Sequence, residues 1–260
     1  MLNKLPISAV IASCNEGHLL DVCLNSVTFC QEIIVVDLES TDNTTEIALQ
    51  HSAKVVHHSK VPVVEHIRKW IIDKVSFDWV LFVDPDEVYN APLQEAIIKE
   101  FHSLPPEVGC IELPIQFLFR SVQLKGGVWG GQQFRGALRH RSRNHFTHHV
   151  HEDMSLQPGF STHRIIHKGA FIEHFWMQSY SQLFEKHRRY LKEEGRKMFE
   201  KGKRYSPFQH LYHGLNAFRH SFFLKKGYRD GLTGLFLSFF WCWYISGCWF
   251  SLWQYERRRK

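Results

Sequence analysis

The amino-acid sequence predicts an α/β domain built on a mostly parallel sheet, followed by a helical and apolar C-terminal part. Two observations lead to this prediction. Four short apolar runs alternate with helical patterns in the first third of the chain, and an uncharged stretch, Gly231–Trp253, lies near its end. Strands that alternate with helices in this order form parallel sheets with right-handed crossovers. With 260 residues, the chain is long enough for one such domain with additions.

The four apolar runs are mostly rich in Val and Ile without polar alternation, as expected of strands buried on both faces. The predicted strands are Ile7–Ala12, Ile33–Val36, Lys54–Val56 and Trp79–Val83. Apolar stripes between them predict helices over Glu16–Val27 and Val64–Val75. Asn43, with Glu46 three residues later, predicts a helix that starts with a capping box.

The pattern changes after about residue 100. Short β-like runs over Leu104–Ile172 surround a glycine-rich loop, Gly126–Gln132, and Ser179–Tyr205 has the pattern of a charged amphipathic helix. We therefore divide the chain into a catalytic domain over 1–172 (a nucleotide half, 1–100, and an acceptor half, 101–172), a helical extension over 173–230, and an apolar helix with a basic tail over 231–260.

Composition narrows the class of partner and the cellular compartment. A net charge of +6 and a pI near 9.0 favour an anionic partner, which could be nucleic acid, a membrane surface or a phosphorylated compound. The six cysteines contain no Cys-x-x-Cys pair, and we interpret them as reduced thiols of a cytosolic environment. The chain enters a strand almost at once, so we expect no signal peptide.

Three acidic residues follow the fourth predicted strand: Asp84, Asp86 and Glu87. Ligands of open parallel sheets bind beyond the carboxyl ends of the strands. Carboxylates this close raise one another's pKa unless a cation lies among them, and a hard divalent ion suits carboxylate oxygen. A calcium loop of the EF-hand type is excluded, because Tyr89 stands where glycine is required. The first turn also lacks G-x-G-x-x-G and a P-loop.

The segments "AVIASCNE", "IIVVDLESTDNT" and "VLFVDPDE", in this order and spacing, resemble family 2 glycosyltransferases of the GT-A fold. Later segments, "VHED" and "IEHFWMQSYSQLFEKHRRY", are similar to the bacterial branch that includes lipopolysaccharide-core β-glucosyltransferases. The resemblance is close over roughly residues 5–90 and looser over 140–230. It implies a Rossmann-like, mostly parallel sheet flanked by helices and an inverting, metal-dependent transfer from a nucleotide sugar.

The resemblance also implies roles for individual residues. Asp84 and Asp86 form the family's Asp-x-Asp and bind Mg²⁺ or Mn²⁺, with Asp86 as the direct ligand. Glu87 has a supporting role, Asp37 binds the base, commonly uracil, and His174 approaches the metal or diphosphate. The residues that border the base and ribose are Ala12, Ser13, Asn15 and Glu16. For His174, a packed histidine is the alternative.

Inverting transfer needs a carboxylate that takes the proton of the acceptor hydroxyl. The branch resembled carries His-Glu at "HVHEDMS", so we assign Glu152 as the base, with Asp153 second and a surface turn as the alternative. Neighbouring histidines raise a zinc site as another possibility: His145, His148, His149 and His151. However, Ser155 stands where His-Glu-x-x-His needs its second histidine.

A basic strip follows the glycine-rich loop, comprising Arg135, Arg139, Arg141 and Arg143. Arginine forks suit a diphosphate or an acidic glycolipid, and we assign Arg135 to the nucleotide. A solvated edge strand is the alternative.

Gly231–Trp253 has no charged residue over 23 positions and as a helix would be about 35 Å long, close to a bilayer core. Its many Trp and Tyr residues favour the lipid–water interface. We expect an in-plane or shallow anchor, with a membrane span second and a buried soluble helix third. Peripheral or C-terminal anchoring places the chain at the cytoplasmic face of the inner (plasma) membrane.

The sequence therefore predicts an inverting, metal-dependent glycosyltransferase. It would move a hexose, by resemblance glucose from a UDP-sugar, to a lipid-linked or phosphorylated glycan such as lipopolysaccharide core. Two alternatives remain: a basic nucleic-acid-binding protein, and an inactive membrane-attached scaffold of the same fold. The first lacks a recognition motif, and acidic strand ends without a metal repel phosphate, so we expect no nucleic acid partner.

Overall fold

The computed structural model describes residues 4–61, 64–146 and 154–259. The strands are β1 Leu5–Ser13, β2 Cys30–Asp37, β3 Lys54–His57, β4 Trp79–Val83, β5 Glu87–Tyr89, β6 Val108–Phe119, β7 Val122–Gln123, β8 Gln133–His140, β9 Asn144–His145, β10 Ser155–Leu156, β11 Ser161–Arg164 and β12 Ile172–Met177. The helices are α1 Gly17–Ser26, α2 Thr44–Gln50, α3 Glu65–Ile71, α4 Ala91–Phe101, α5 Tyr180–Glu200, α6 Pro207–Arg219 and α7 Gly231–Arg258.

The main sheet has the strand order β3-β2-β1-β4-β8-β6-β12-β5. Its first four strands are parallel, which confirms the predicted α/β class. Antiparallel strands continue the sheet: β8 pairs with β4 and β6, and β12 pairs with β5. Each parallel pair needs a crossover, and the three helices α1, α2 and α3 supply them, as the alternating sequence pattern predicts.

The predicted early elements lie at their expected places, with ends shifted by at most four residues, and β4 coincides with its prediction. One local prediction is wrong. Asn43 is the residue before α2, but its side chain makes no cap hydrogen bond. Asp42 performs this role instead: its Oδ1 accepts from the backbone N–H of Thr44 at 3.1 Å, and its Oδ2 accepts from Gly17 N–H at 3.0 Å. The carboxylate thus caps α2 and also fixes the start of α1.

The register places the ends of the parallel strands along one edge of the sheet. Ser13 is opposite Asp37, and Asp37 is opposite His57. Val83, the last residue of β4, is opposite Ile11, two residues before the end of β1. Beneath this edge, an apolar cluster that includes Val10, Ile34 and Phe82 is buried between sheet and helix α3. The polar residues that follow the strands are therefore carried on a rigid base.

The chain divides into two compact units. The first comprises residues 1–115 and 133–174, and the second comprises 116–132 and 175–260. The glycine-rich loop belongs to the second unit, where Asp230 accepts hydrogen bonds from the backbone N–H groups of Lys125 (2.7 Å) and Gly126 (2.8 Å). Gly127 N–H donates to the carbonyl of Lys225 at 2.8 Å. The loop is thus tied to the turn that precedes α7.

In the second unit, α7 packs between α5 and α6. Phe184 and Phe199 of α5 contact Phe240 and Tyr255 of α7, in the same chain direction. In α6 the direction is opposite, because His213 stacks on Trp249 while Phe218, further along α6, contacts Phe239. Small residues allow close approach: a Cβ on Gly195 would lie 2.4 Å from the backbone of Ser251, and one on Gly214 would lie 2.5 Å from Ser246 Oγ.

Candidate active site at the carboxyl edge of the sheet

Asp84 and Glu87, which follow β4, form one ionic cluster with Arg135. Glu87 is fully buried, and its Oε2 accepts a hydrogen bond from the backbone N–H of Asp84 at 3.2 Å. Arg135, on β8, contacts Glu87 Oε1 and also lies 3.1 Å from Asp84 Oδ2. Burying a carboxylate without a partner is costly, so Arg135 is what makes the burial of Glu87 tolerable. Glu87 thus has the supporting role that the sequence predicts.

Asp86 contacts His174 of β12. Its Oδ2 lies 3.1 Å from His174 Nε2. The antiparallel pairing of β12 with β5, which sets His174 opposite Glu87, brings together residues 88 positions apart. Asp86 and His174 are 24% and 15% exposed, so the pair is accessible from solvent. The structure therefore brings the two predicted residues into direct contact.

Two acids around this cluster, Asp84 and Glu16, have pKa values shifted in opposite directions. Burial opposes the charge of Asp84, but the Arg135 and Arg68 guanidiniums outweigh it and keep the Asp84 pKa below its ordinary value. Glu16 shows the opposite behaviour: burial, with added repulsion from Asp86 and Asp84, raises its pKa to about 7. A carboxyl group with a pKa near neutral is typical of a functional site.

The loop after β1 is fastened to the loop after β2. Asn15 adopts a left-handed conformation (φ 58°), and its Oδ1 accepts from the backbone N–H of Thr41 at 2.7 Å. Ser40 Oγ accepts from Asn15 N–H at 3.0 Å, and Thr44 Oγ1 accepts from Glu16 N–H at 3.3 Å. The predicted residues of the first loop are thus held in one fixed arrangement, with Ala12 half-buried and Ser13 buried.

Asp37 lines an open depression of about 230 Å³, together with Glu39, His57, His58 and Ser59. Its side chain is 5% exposed, and its Oδ2 lies 3.1 Å from Nδ1 of His57, which is 72% exposed. The sequence analysis did not identify His57. The rule that selected Asp37 also applies to this residue, because His57 ends the neighbouring strand at the same level.

Of the basic strip, only Arg135 reaches the acidic cluster in the described residues. The remaining members bind other parts of the first unit: Arg139 donates to Asn144 (2.8 Å), Arg141 to Asp78 (2.8 Å) and Arg143 to the carbonyl of Val108 (2.6 Å). The idea that the four arginines form one anion-binding strip is therefore wrong. The register of β8 against β6 shifts between Arg135 and Arg139, which interrupts the regular alternation of faces. Arg141 and Arg143 lie beyond the end of β8.

The predicted base, Glu152 or Asp153, lies outside the described residues, as do His148, His149 and His151. Within the described ranges, no group of three or more His, Cys, Asp or Glu side chains forms a metal cage. One oxygen of Asp84 contacts Arg135, which limits how many carboxylate oxygens can converge on an ion here. Mg²⁺ commonly uses one or two carboxylates together with substrate phosphates and water, so a complete protein cage is not required.

The donor set fits such an ion at Asp86 and His174. Two adjacent ligands of an octahedral Mg²⁺, each about 2.1 Å from the ion, lie about 3 Å apart. Asp86 Oδ2 and His174 Nε2 lie 3.1 Å apart, a distance that is compatible with two such ligands and is also that of an ordinary hydrogen bond. The second oxygen of Asp84 is the nearest further carboxylate along the chain, and that side chain is 38% exposed.

Comparison with known proteins identifies the family of this chain. The sequence model of the family described as "Glycosyl transferase family 2" matches residues 8–224. An uncharacterized glycosyltransferase of Rickettsia prowazekii, RP128, is 25% identical over 88% of this chain and 80% of its own length. One from Rickettsia felis is 36% identical over 37% of this chain, and the match spans 34% of that protein. The lipopolysaccharide core biosynthesis glycosyltransferase LpsC of Rhizobium meliloti is 29% identical over 37% of both chains.

Solved structures give partial matches. The mannosyltransferase PcManGT from Pyrobaculum calidifontis, solved with GDP-Man and Mn²⁺, matches 42% of this chain and 35% of its own, with a TM-score of 0.36 and 19% identity. Glucosyl-3-phosphoglycerate synthase from Mycobacterium tuberculosis, solved with Mn²⁺, UDP and its product, matches 44% and 43%, with a TM-score of 0.35 and 21% identity. Several matches thus span only about a third to two fifths of the similar protein.

Proposed function

This chain belongs to glycosyl transferase family 2, and from that membership and the site we propose that it transfers a hexose from a UDP-sugar to a lipid-linked saccharide. The observation that carries the proposal is the meeting of Asp84, Asp86 and His174 at the carboxyl edge of four parallel strands. The transfer is metal-dependent and inverts the configuration of the sugar.

The donor's base occupies the depression beside Asp37. This carboxylate is nearly buried, and backbone N–H of Ser40 and Nδ1 of His57 hold its two oxygens at 3.2 and 3.1 Å. A fixed acceptor of this kind suits the imide N–H of uracil. Ala12, Ser13, Asn15 and Glu16 border the ribose, because their loop is fastened to the segment that follows Asp37. The base and ribose are then held by groups that do not need to reorganise.

Asp86 and His174 hold the divalent ion, Mg²⁺ or Mn²⁺, with Asp84 beside them. When bound, such an ion neutralises the diphosphate and stabilises its charge as it leaves. Arg135 holds Asp84 through Oδ2 and restrains this carboxylate by its second bond to Glu87. The guanidinium is in contact with Asp84, so its positive charge would lie near an ion held beside this carboxylate.

Glu152 takes the proton from the acceptor hydroxyl, with Asp153 as the second choice. The acceptor oxygen attacks the anomeric carbon, the bond to the diphosphate breaks on the opposite face, and the proton passes to the carboxylate. For the acceptor, two observations favour a lipid-linked saccharide. The similar protein LpsC is named for lipopolysaccharide core biosynthesis, and one described helix, Gly227–Arg258, is long and apolar enough to cross a membrane.

Binding of UDP-glucose measured by calorimetry tests the donor site. We expect binding to require Mg²⁺ or Mn²⁺ and to become undetectable in Asp86→Ala. Asp78→Ala is the matched control, because Asp78 precedes the same strand at its opposite end and pairs with Arg141 on the surface. Equal affinity with and without metal, or equal loss in both variants, would contradict the proposal.

Turnover tests the base separately. In Glu152→Gln, we expect hydrolysis and transfer rates to fall by about a hundredfold or more while donor affinity stays within about twofold. Asp153→Asn provides the matched control. If Glu152→Gln retains full turnover and Asp153→Asn does not, the roles are exchanged. Donor binding without any transfer to lipid-linked saccharides would instead indicate an inactive scaffold.

A further inference from the structure

Positive charge is concentrated in the last sixty residues. Residues 201–260 contain 11 Lys and Arg but 2 Asp and Glu, a net charge of +9, whereas the whole chain has +6. The preceding 200 residues therefore sum to −3. Both acids of the last sixty residues are occupied: Asp230 binds the loop at Lys125 and Gly126, and Glu256 accepts from Tyr205 N–H at 2.9 Å. Few acidic side chains of this part of the chain are therefore available to neutralise its basic residues.

Exposed apolar side chains are concentrated in the same part of the chain. Of the 18 large hydrophobic residues exposed in the described residues, 11 lie between 208 and 250. Four of them, Phe208, Leu211, Tyr212 and Leu215, follow the i, i+3, i+4, i+7 spacing on α6 and so form one stripe. Phe208 is 78% exposed. A stripe with this spacing normally faces a core, but here it faces solvent.

A second exposed stripe runs along α7. Leu232, Phe239, Trp243 and Phe250 all lie within about 20° of one line, since each residue turns an α-helix by about 100°. Phe218 of α6 contacts Phe239 at a ring distance of 4.6 Å, so the two stripes are connected. Large, continuous patches of exposed apolar side chains are rare on monomeric soluble proteins and mark contact surfaces.

The packing of α5 argues against a membrane span by α7. Helix α5 runs beside α7, with Leu191 O accepting from Ser251 Oγ at 2.7 Å. Its exposed charged residues run from its second turn to its end: Glu185, Arg188, Arg189, Lys192, Glu193, Arg196 and Glu200. If α7 crossed the bilayer in this arrangement, α5 would carry these charges into the hydrocarbon, which is strongly unfavourable.

We propose that the α6 stripe and the α7 stripe together form an in-plane docking surface for the leaflet of an anionic phospholipid bilayer. The apolar side chains enter the boundary between headgroups and acyl chains, and the basic residues beside them contact lipid phosphates. Lys225 and Arg229, exposed in the turn between the two helices, are placed for this contact. This inference rests on the proposed function, because a lipid-linked acceptor lies in such a leaflet.

Co-sedimentation with vesicles tests the surface. The probe is phosphatidylcholine vesicles with and without phosphatidylglycerol, and no sugar donor is present, so the result does not depend on glycosyl transfer. We expect the wild-type chain to prefer anionic vesicles and the triple variant Phe208→Gln/Leu211→Gln/Leu215→Gln to bind about tenfold more weakly. Because these side chains are exposed, the variant should keep the wild-type circular dichroism and unfolding temperature.

The matched control is Val22→Gln/Leu49→Gln/Ile166→Gln, three exposed apolar residues of the other unit. It should bind vesicles as the wild type does. Lys225→Gln/Arg229→Gln should reduce the preference for anionic vesicles. Equal loss in both triple variants, or none in the α6 variant, would overturn the proposal.

Topology is tested in sealed, inverted membrane vesicles from a bacterium that expresses the chain with a tag at each end. An in-plane surface leaves both tags open to added protease, whereas a span protects the C-terminal tag and refutes the proposal. Sedimentation equilibrium tests whether the surface binds a second copy of the chain instead of a membrane. A wild-type chain that ignores vesicles but forms a dimer, which the α6 variant loses, would show that the surface binds a second copy instead.

Discussion

Removing Arg135 should produce the largest electrostatic loss of stability in the first unit. Arg135 is the cation that contacts fully buried Glu87 in the described residues, and it also binds Asp84. In Arg135→Met, the side chain keeps most of its volume and loses its charge. Glu87 must then remain ionised in a buried place without its partner, or take up a proton.

Breaking a buried ion pair from one side typically costs about 3–5 kcal/mol. Arg135 is 22% exposed, so water screens part of this loss and we expect about 3 kcal/mol. With a urea dependence of about 3 kcal/mol per M, the unfolding midpoint should fall by about 1 M. The loss should also depend on pH. Without Arg135, an ionised Glu87 is buried without its cationic partner, so the variant is penalised least at low pH, where Glu87 can take up a proton, and loses stability as pH rises.

Urea unfolding at pH 5 and pH 8 provides the assay. Arg141→Met is the matched control, because its pair with Asp78 is exposed on both sides and should be worth less than about 1 kcal/mol. Adding Glu87→Gln to Arg135→Met removes the stranded charge and should recover part of the stability. If Arg135→Met and Arg141→Met lose the same stability, or the double variant recovers none, the reasoning about Glu87 is wrong.

Two further predictions concern Glu16 and the contact between α5 and α7. The Glu16 pKa is raised from 4.5 to about 7, so the wild type loses stability as pH rises through this range. Glu16→Gln should therefore be more stable than the wild type by about 1–2 kcal/mol at pH 8 but not at pH 4. If urea unfolding gives the same difference between variant and wild type at both pH values, this prediction is wrong. Gly195→Ala should lower the unfolding temperature by several degrees, because the new Cβ would lie 2.4 Å from backbone atoms of Ser251. Gly247→Ala is the control: its Cβ would contact the movable side chain of Leu191, so its unfolding temperature should fall less.

The sheet and the acidic tip of β4 were predictable because both depend on local pattern. A run such as Trp79–Val83 identifies a buried strand by its composition, and the strand-end rule then places Asp84 and Asp86 at the carboxyl edge. The same rule selected Asp37. The helix start near Asn43 was also visible, although the capping side chain is Asp42, one residue earlier.

The partners of these acids could not be predicted in the same way, because they come from distant strands. Arg135 reaches Glu87 only because β8 joins the sheet beside β4, and His174 reaches Asp86 only because β12 pairs with β5. No local pattern contains these pairings. The α6 stripe shows a second limit: its spacing is visible in the sequence, but the spacing alone predicts a core-facing helix, and only the structure shows that the face is exposed.

The position of α7 between α5 and α6 has a practical consequence for producing this protein. Ending the chain near residue 230, a common way to remove a hydrophobic tail, would uncover Leu183 and Met198 of α5 and Ala217 of α6, which are buried when α7 is present. It would also remove Asp230 and Ser251, which satisfy backbone groups of the glycine-rich loop and of α5. The shortened protein should therefore aggregate, and mild detergent with a chain that retains α7 is the better route to a soluble sample.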